Sequence, residues 1–224
     1  MPQLAMAFLG GRTRMCCYIG LDPGGKGAFG WCVAEGTALP LRTIASGVAD
    51  YAQQAVSASL QAAVSRELCC AGVDAPLTWR TAGDRDVDRY LRQRVLRLGG
   101  SGGTVGSVNS LRGACLIQGM MAATLLRERK PNLPISESHP KAMLRLLGIA
   151  NAANPVNAIT SHDLEQFLMG KVTDASQHER DAALTALSAW AMFVQHQSWQ
   201  DLYLKEAPNP LSPLSAPFGY WMPR

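Results

Sequence analysis

Apolar positions along the chain fall into a few dense runs, and two of them share an ending. "MCCYIGLD" (15–22) and "LCCAGVDAPL" (68–77) are continuously apolar, and each stops at one carboxylate, Asp22 or Asp74, with a proline close behind. An unbroken apolar run bounded by a turn predicts a strand buried on both faces. "AFGWCVAEG" and "LPLRTIASG" follow the first run with short turns between them, so the first three strands predict an antiparallel meander. "DYAQQAVSASLQAAVSREL" reads as a helix with Asp50 placed to cap it. "LRGACLIQGMMAATLLRERK" is a long helix, and "LPISESHP" is a short strand with Glu137 near its end and Pro140 closing it. "KAMLRLLG" and "SHDLEQFLMG" are short helices, and "HERDAALTALSAWAMFVQHQ" is a long final one.

This order predicts an α/β domain with a mixed five-stranded sheet flanked by helices: a three-strand antiparallel meander plus two parallel strands. Strand-helix-strand crossovers make parallel pairs. Strands 1, 4 and 5 then end at one edge of the sheet. The organisation expected is an N-terminal extension (1–14), a single domain (15–197) with an arginine-rich insert (78–110), and a Pro-rich C-terminal tail (198–224).

Composition narrows the class. With 224 residues, 47% hydrophobic and 17% charged, the chain is sufficient for one well-packed core. The net charge of +4 is compatible with an anionic partner such as nucleic acid. No apolar run approaches the roughly 18 residues of a membrane span, and "AMAFLG" is too short for a signal peptide's apolar region. No membrane partner and a cytoplasmic location are therefore expected. None of the six cysteines forms a CxxC pair, which removes the zinc reading and predicts free buried thiols.

Asp22, Asp74 and Glu137 each stand at or near the end of a strand expected to be parallel to the others. Three carboxylates packed at one sheet edge repel one another unless a cation joins them. All-oxygen sets suit hard divalent ions, here Mg²⁺ or Mn²⁺. Asp181 lies three residues before Leu184 on the apolar stripe of the last helix, so it adds a fourth inward-facing acid. Glu179 instead belongs to a capping box, Ser176-x-x-Glu179. Two metals in such a cluster activate a water and stabilise the leaving oxygen of a phosphodiester. Within the insert, Arg85, Arg89 and Arg92 recur at helical spacing. They read either as a grip on backbone phosphates or as a solvated helix with Asp-Arg pairs. Trp79 reads either as a base-stacking platform or as packing.

"YIGLDPGG", "GVDAPLTWR", "ISESHPKAMLRLLG" and "HERDAALTALSAWA" together resemble the successive motifs of domain-of-unknown-function family 429, predicted nucleases of ribonuclease H-like fold. The resemblance spans about residues 16–195. It implies an acidic catalytic site of Asp22, Asp74, Glu137 and Asp181 binding Mg²⁺ or Mn²⁺. It also places Arg80, Arg85 and Asp86 in motif-like positions, and His139 and Lys141 beside the site in contact with substrate. Lys26, on the turn after Asp22, is a further phosphate contact.

Two rival functions remain open at this point. One is a nucleotide-binding relative of the actin-like or sugar-kinase-like ATPases, since Gly25-Lys26-Gly27-Ala28-Phe29-Gly30 matches GxGxxG. That fingerprint needs a helix to open there, whereas "FGWCVAEG" reads as a strand. The other is a non-catalytic nucleic-acid-binding protein that keeps the fold.

Overall fold

The computed structural model describes residues 15–80, 84–106, 113–170, 176–206, 212, 214, 215 and 217–224. The expected 1–14 extension and parts of the arginine-rich insert lie outside the described residues. Strands β1 (Cys16–Asp22), β2 (Phe29–Glu35) and β3 (Leu41–Ala49) form the antiparallel meander read from the sequence. Helix α1 (Ala52–Ala62) leads to β4 (Glu67–Val73), which pairs parallel with β1. Helices α2 (Asp86–Arg97) and α3 (Gly113–Arg129) precede β5 (Ile135–Glu137), which pairs parallel with β4. Helix α4 (Pro140–Leu146), strand β6 (Leu168–Gly170), helix α5 (Gln177–Val194) and strands β7 (Trp199–Asp201) and β8 (Phe218–Pro223) complete the chain.

The sheet has eight strands among the described residues rather than five, in the order β6-β3-β2-β1-β4-β5-β8-β7. The order β3-β2-β1-β4-β5 forms its centre, and β6, β7 and β8 extend its two sides. Residues 198–224, read as a tail, supply β7 and β8, with β8 parallel to β5. Prolines made this segment read as non-strand, but Pro223 stands at the very end of β8, where proline is tolerated.

Side chains of β1 alternate between two cores. Tyr18 joins Cys70, Leu184, Leu187 and Trp190 beneath α5, while Cys17, Ile19 and Leu21 join Val73, Ala122 and Leu126 beneath α1 and α3. Residues 179–191 of α5 are all buried, as expected of a helix covered on every side. The helix lies unusually close to the sheet. A Cβ on Gly20 would come within 1.9 Å of the Ala182 carbonyl oxygen, and one on Gly72 within 2.2 Å of that of Thr185. A Cβ on Gly30 would come within 2.1 Å of the His178 carbonyl oxygen. Three strands thus present bare backbone to α5. Gly20→Ala is expected to destabilise the fold by about 1–3 kcal/mol or more, because the obstacle is main chain and cannot rotate away. Urea unfolding measures it, and an unchanged midpoint would contradict the packing.

Two local expectations fail. Asp50 does not cap α1: the cap position is Tyr51, without a side-chain hydrogen bond. Asp50 instead accepts from the Gly27 amide at 2.9 Å, tying the turn after β1 to the start of α1. The free-thiol reading also fails for one pair, since Cys16 and Cys69 form a disulfide with their Cα atoms 5.9 Å apart. The register of β1 on β4 slips between Cys17↔Leu68 and Tyr18↔Cys70, so Cys69 is left without a partner in the ladder and reaches Cys16. Cys17, Cys32 and Cys70 are free and buried, as read, and Cys115 is only partly buried.

Candidate active site

The site is built by strand ends meeting a helix start. Asp22 closes β1 and has the same parity as Tyr18 and Gly20, so it belongs to the face under α5. Asp74 follows β4 directly, and its amide donates to the Leu21 carbonyl at 2.9 Å, which holds the two strand ends level. Ser176 caps α5 by accepting from the Glu179 amide at 3.1 Å, and its hydroxyl donates to the Glu179 carboxylate at 3.0 Å. That cap fixes the first turn of α5, with His178 and Asp181 above the ends of β1 and β4.

Asp22, Asp74 and Asp181 are near enough for each to feel the others. Burial first, then the charges of Asp74 and Asp181, push the Asp22 carboxyl up to about 7, against a hydrogen bond from His178. Asp181 is also raised, by burial and by Asp74, although Arg180 bonds it at 3.1 Å and opposes the shift. Two histidines face the acids. His178 Nδ1 is 2.9 Å from Asp22 Oδ2, and His139 Nδ1 is 3.1 Å from Asp74 Oδ1. The bond to Asp22 raises His178. His139 is raised too: burial works against its charge, but Asp74, Glu137 and Asp88 outweigh it. Lys141, exposed in the first turn of α4, adds a positive charge felt by both Asp181 and His178.

Glu137 does not join this group. The register pairs Leu21 with Val73 and Val73 with Glu137, so Glu137 lies one residue short of the level of Asp22 and Asp74. Its carboxylate meets Arg85 instead, beside His139, which bonds Asp74. Its carboxylate is fully buried, taking Arg85 at 2.6 and 2.9 Å and the Leu77 amide at 2.9 Å. Tyr203 donates to the same Oε2 at 2.5 Å. Ligand atoms of Asp88, Glu137 and His139 lie within 4.8 Å of one another, a set of metal-ligand type. Arg85 is already bonded to both of those carboxylates, however, so we read this trio as an ion-pair network rather than an open metal site.

The arginines depart most from expectation. Arg85 is the N-cap residue of α2 and 1% exposed, so it cannot grip a phosphate here. Arg92 is held by Asp84 at 2.6 Å, and Arg89 bonds Asp86. Arg80, about one third exposed, lies 3.2 Å from Asp86. Of the two sequence readings, Asp-Arg pairing is the one realised. Lys26 stands exposed on the turn between β1 and β2, and Trp79 is 44% exposed. The GxGxxG match leads straight into β2, not into a helix, so it lacks the helix N-terminus a pyrophosphate needs. A cleft of about 310 Å³ lined by Gln53, Val56, Leu60, Leu125 and Arg129 lies between α1 and α3, on the face opposite α5. It holds no carboxylate.

His178 and Tyr203 carry no assigned role in the sequence reading. The available signal for His178 was its place three residues before Asp181 on the same helix turn.

Among the described residues no helix is long and apolar enough to cross a membrane. No family model matches the chain, and no curated protein matches it. Among solved structures, the chain is similar to that of "T. thermophilus RuvC in complex with Holliday junction substrate", at 13% identity and a TM-score of 0.41, covering 88% of this chain and 99% of that one.

Proposed function

We propose that the chain is a divalent-metal-dependent nuclease of ribonuclease H-like fold, hydrolysing phosphodiester bonds at the edge where β1, β4 and α5 meet. The observation that carries this reading is the convergence of Asp22, Asp74 and Asp181 from three remote stretches of chain, close enough that the charges of Asp74 and Asp181 raise Asp22 and that of Asp74 raises Asp181. Such an arrangement is unfavourable by itself and becomes favourable around a cation. The donor set fits Mg²⁺ or Mn²⁺: carboxylate oxygens on rigid strand and helix ends. Asp22, Asp74 and Asp181 would hold it, and when bound it supplies a polarised phosphoryl oxygen and an acidified water.

The remaining steps belong to the chain itself. His139 orients Asp74, and His178 orients Asp22 through the bonds given above. Exposed Lys26, on the turn after Asp22, and exposed Lys141, whose charge Asp181 and His178 feel, are suited to backbone phosphates, which they neutralise without reading sequence. His178, 41% exposed at its side chain, is the group best placed to pass a proton to or from solvent.

A cleavage panel tests the proposal, with single-stranded, duplex, hybrid and branched nucleic acids in Mg²⁺ or Mn²⁺. Cleavage of at least one substrate, abolished by chelation and restored by added metal, is expected. Binding without cleavage of any substrate would instead support the non-catalytic reading.

A further inference from the structure

We infer that Arg85 is a resident cation of this site: its guanidinium takes the place of a second metal ion, so the acidic edge binds one divalent ion and not two. The inference rests on the metal-dependent reading above and fixes its stoichiometry.

Both oxygens of Glu137 are engaged by donors of the chain itself. Its Oε2 takes three donors, the Leu77 amide at 2.9 Å, Arg85 Nη1 at 2.9 Å and the Tyr203 hydroxyl at 2.5 Å. Its Oε1 takes Arg85 Nη2 at 2.6 Å. Arg85 also forks onto Asp88, with Nε to Oδ2 at 2.8 Å and Nη2 to Oδ1 at 2.7 Å, and Nη1 reaches Thr78 Oγ1 at 3.0 Å. One planar cation thus satisfies two carboxylates that are both fully buried, the arrangement guanidinium geometry suits best. The Tyr220 ring closes the far side, 5.9 Å from the guanidinium carbon. Asp88, Glu137 and His139 hold ligand-type atoms within 4.8 Å of one another, so this is a place where a cation belongs and where the chain supplies its own. His139 links the two halves, since its Nδ1 bonds Asp74 of the metal-facing trio.

Mn²⁺ binding to the metal-free full chain, followed by calorimetry and by the paramagnetic resonance signal of free Mn²⁺, counts the ions directly. One ion per wild-type chain is expected, one in Arg85→Lys, which keeps the positive charge, and two in Arg85→Ala. Two ions in the wild type would overturn the inference and leave the nuclease reading intact. No bound ion would overturn the metal-dependent reading, and this inference with it. One ion in an Arg85→Ala chain that circular dichroism shows to be folded would also overturn it. Should that variant not fold, the wild-type and Arg85→Lys counts decide the matter alone.

Discussion

Asp22→Asn is expected to lower metal-dependent cleavage by about 10²–10³-fold, the rate equivalent of losing several kcal/mol of transition-state stabilisation by the metal. The same substitution is expected to make the metal-free fold more stable at neutral pH, which separates a lost ligand from a damaged structure. Burial and the neighbouring acids hold the Asp22 carboxyl at about 7, against roughly 3.9 in an unfolded chain. Between those two values the folded chain keeps a proton that the unfolded chain has released. The contribution of Asp22 to stability is therefore fully present below about pH 4 and is lost as pH rises through 7. Asparagine has no charge to bury, so the variant escapes that loss. Its unfolding midpoint should match the wild type in acid and exceed it near pH 8. Added Mn²⁺ should raise the wild-type midpoint at pH 8 and raise that of Asp22→Asn far less. A variant that cleaves like the wild type and unfolds with the same pH profile would remove Asp22 from the site.

Arg85→Ala is expected to destabilise the fold by about 3–5 kcal/mol, the usual consequence of stripping one partner from a buried ion pair. That is a large share of the roughly 5–15 kcal/mol holding a domain together. Glu137 and Asp88 would remain, both fully buried, without the guanidinium that serves them. Burial already holds the Asp88 carboxyl above its ordinary range even with Arg85 present. Acidification should return part of the loss, because protonation is the other way to neutralise a buried carboxylate. Denaturant unfolding at pH 8 and pH 5 checks both statements, and a loss below about 1 kcal/mol at pH 8 would mean the network is not structural.

The residues that were legible in the sequence are those whose placement follows from local pattern. Asp22 and Asp74 each end an apolar run, so the strand and its terminal carboxylate are read together. Asp181 is visible from the apolar stripe of α5 alone. Glu137 looked equivalent, but its strand is only three residues long and its level in the sheet depends on pairing with β4. A shift of one residue changes which neighbours a side chain meets, and register of this kind is set by tertiary packing. Arg85 was misread for a related reason. An arginine among arginines reads as surface, whereas its partner Glu137 lies 52 positions away in sequence. The Cys16–Cys69 disulfide depends on a ladder slip that no spacing announces. The outer strands were missed because β6 and β7 have three residues each and β8 follows a proline-rich stretch.

The bare contact between α5 and Gly20, Gly30 and Gly72 has a bearing on how this protein tolerates change. The separation of helix and sheet is set there by main-chain atoms, which are the same whatever amino acids surround them. Substitutions among Leu184, Leu187 and Trp190 alter how the core fills but not the ruler that spaces Asp181 from Asp22 and Asp74. Drift in the apolar interior is thereby insulated from the acids, and the three glycines become the positions at which a single added methyl group would reach the chemistry.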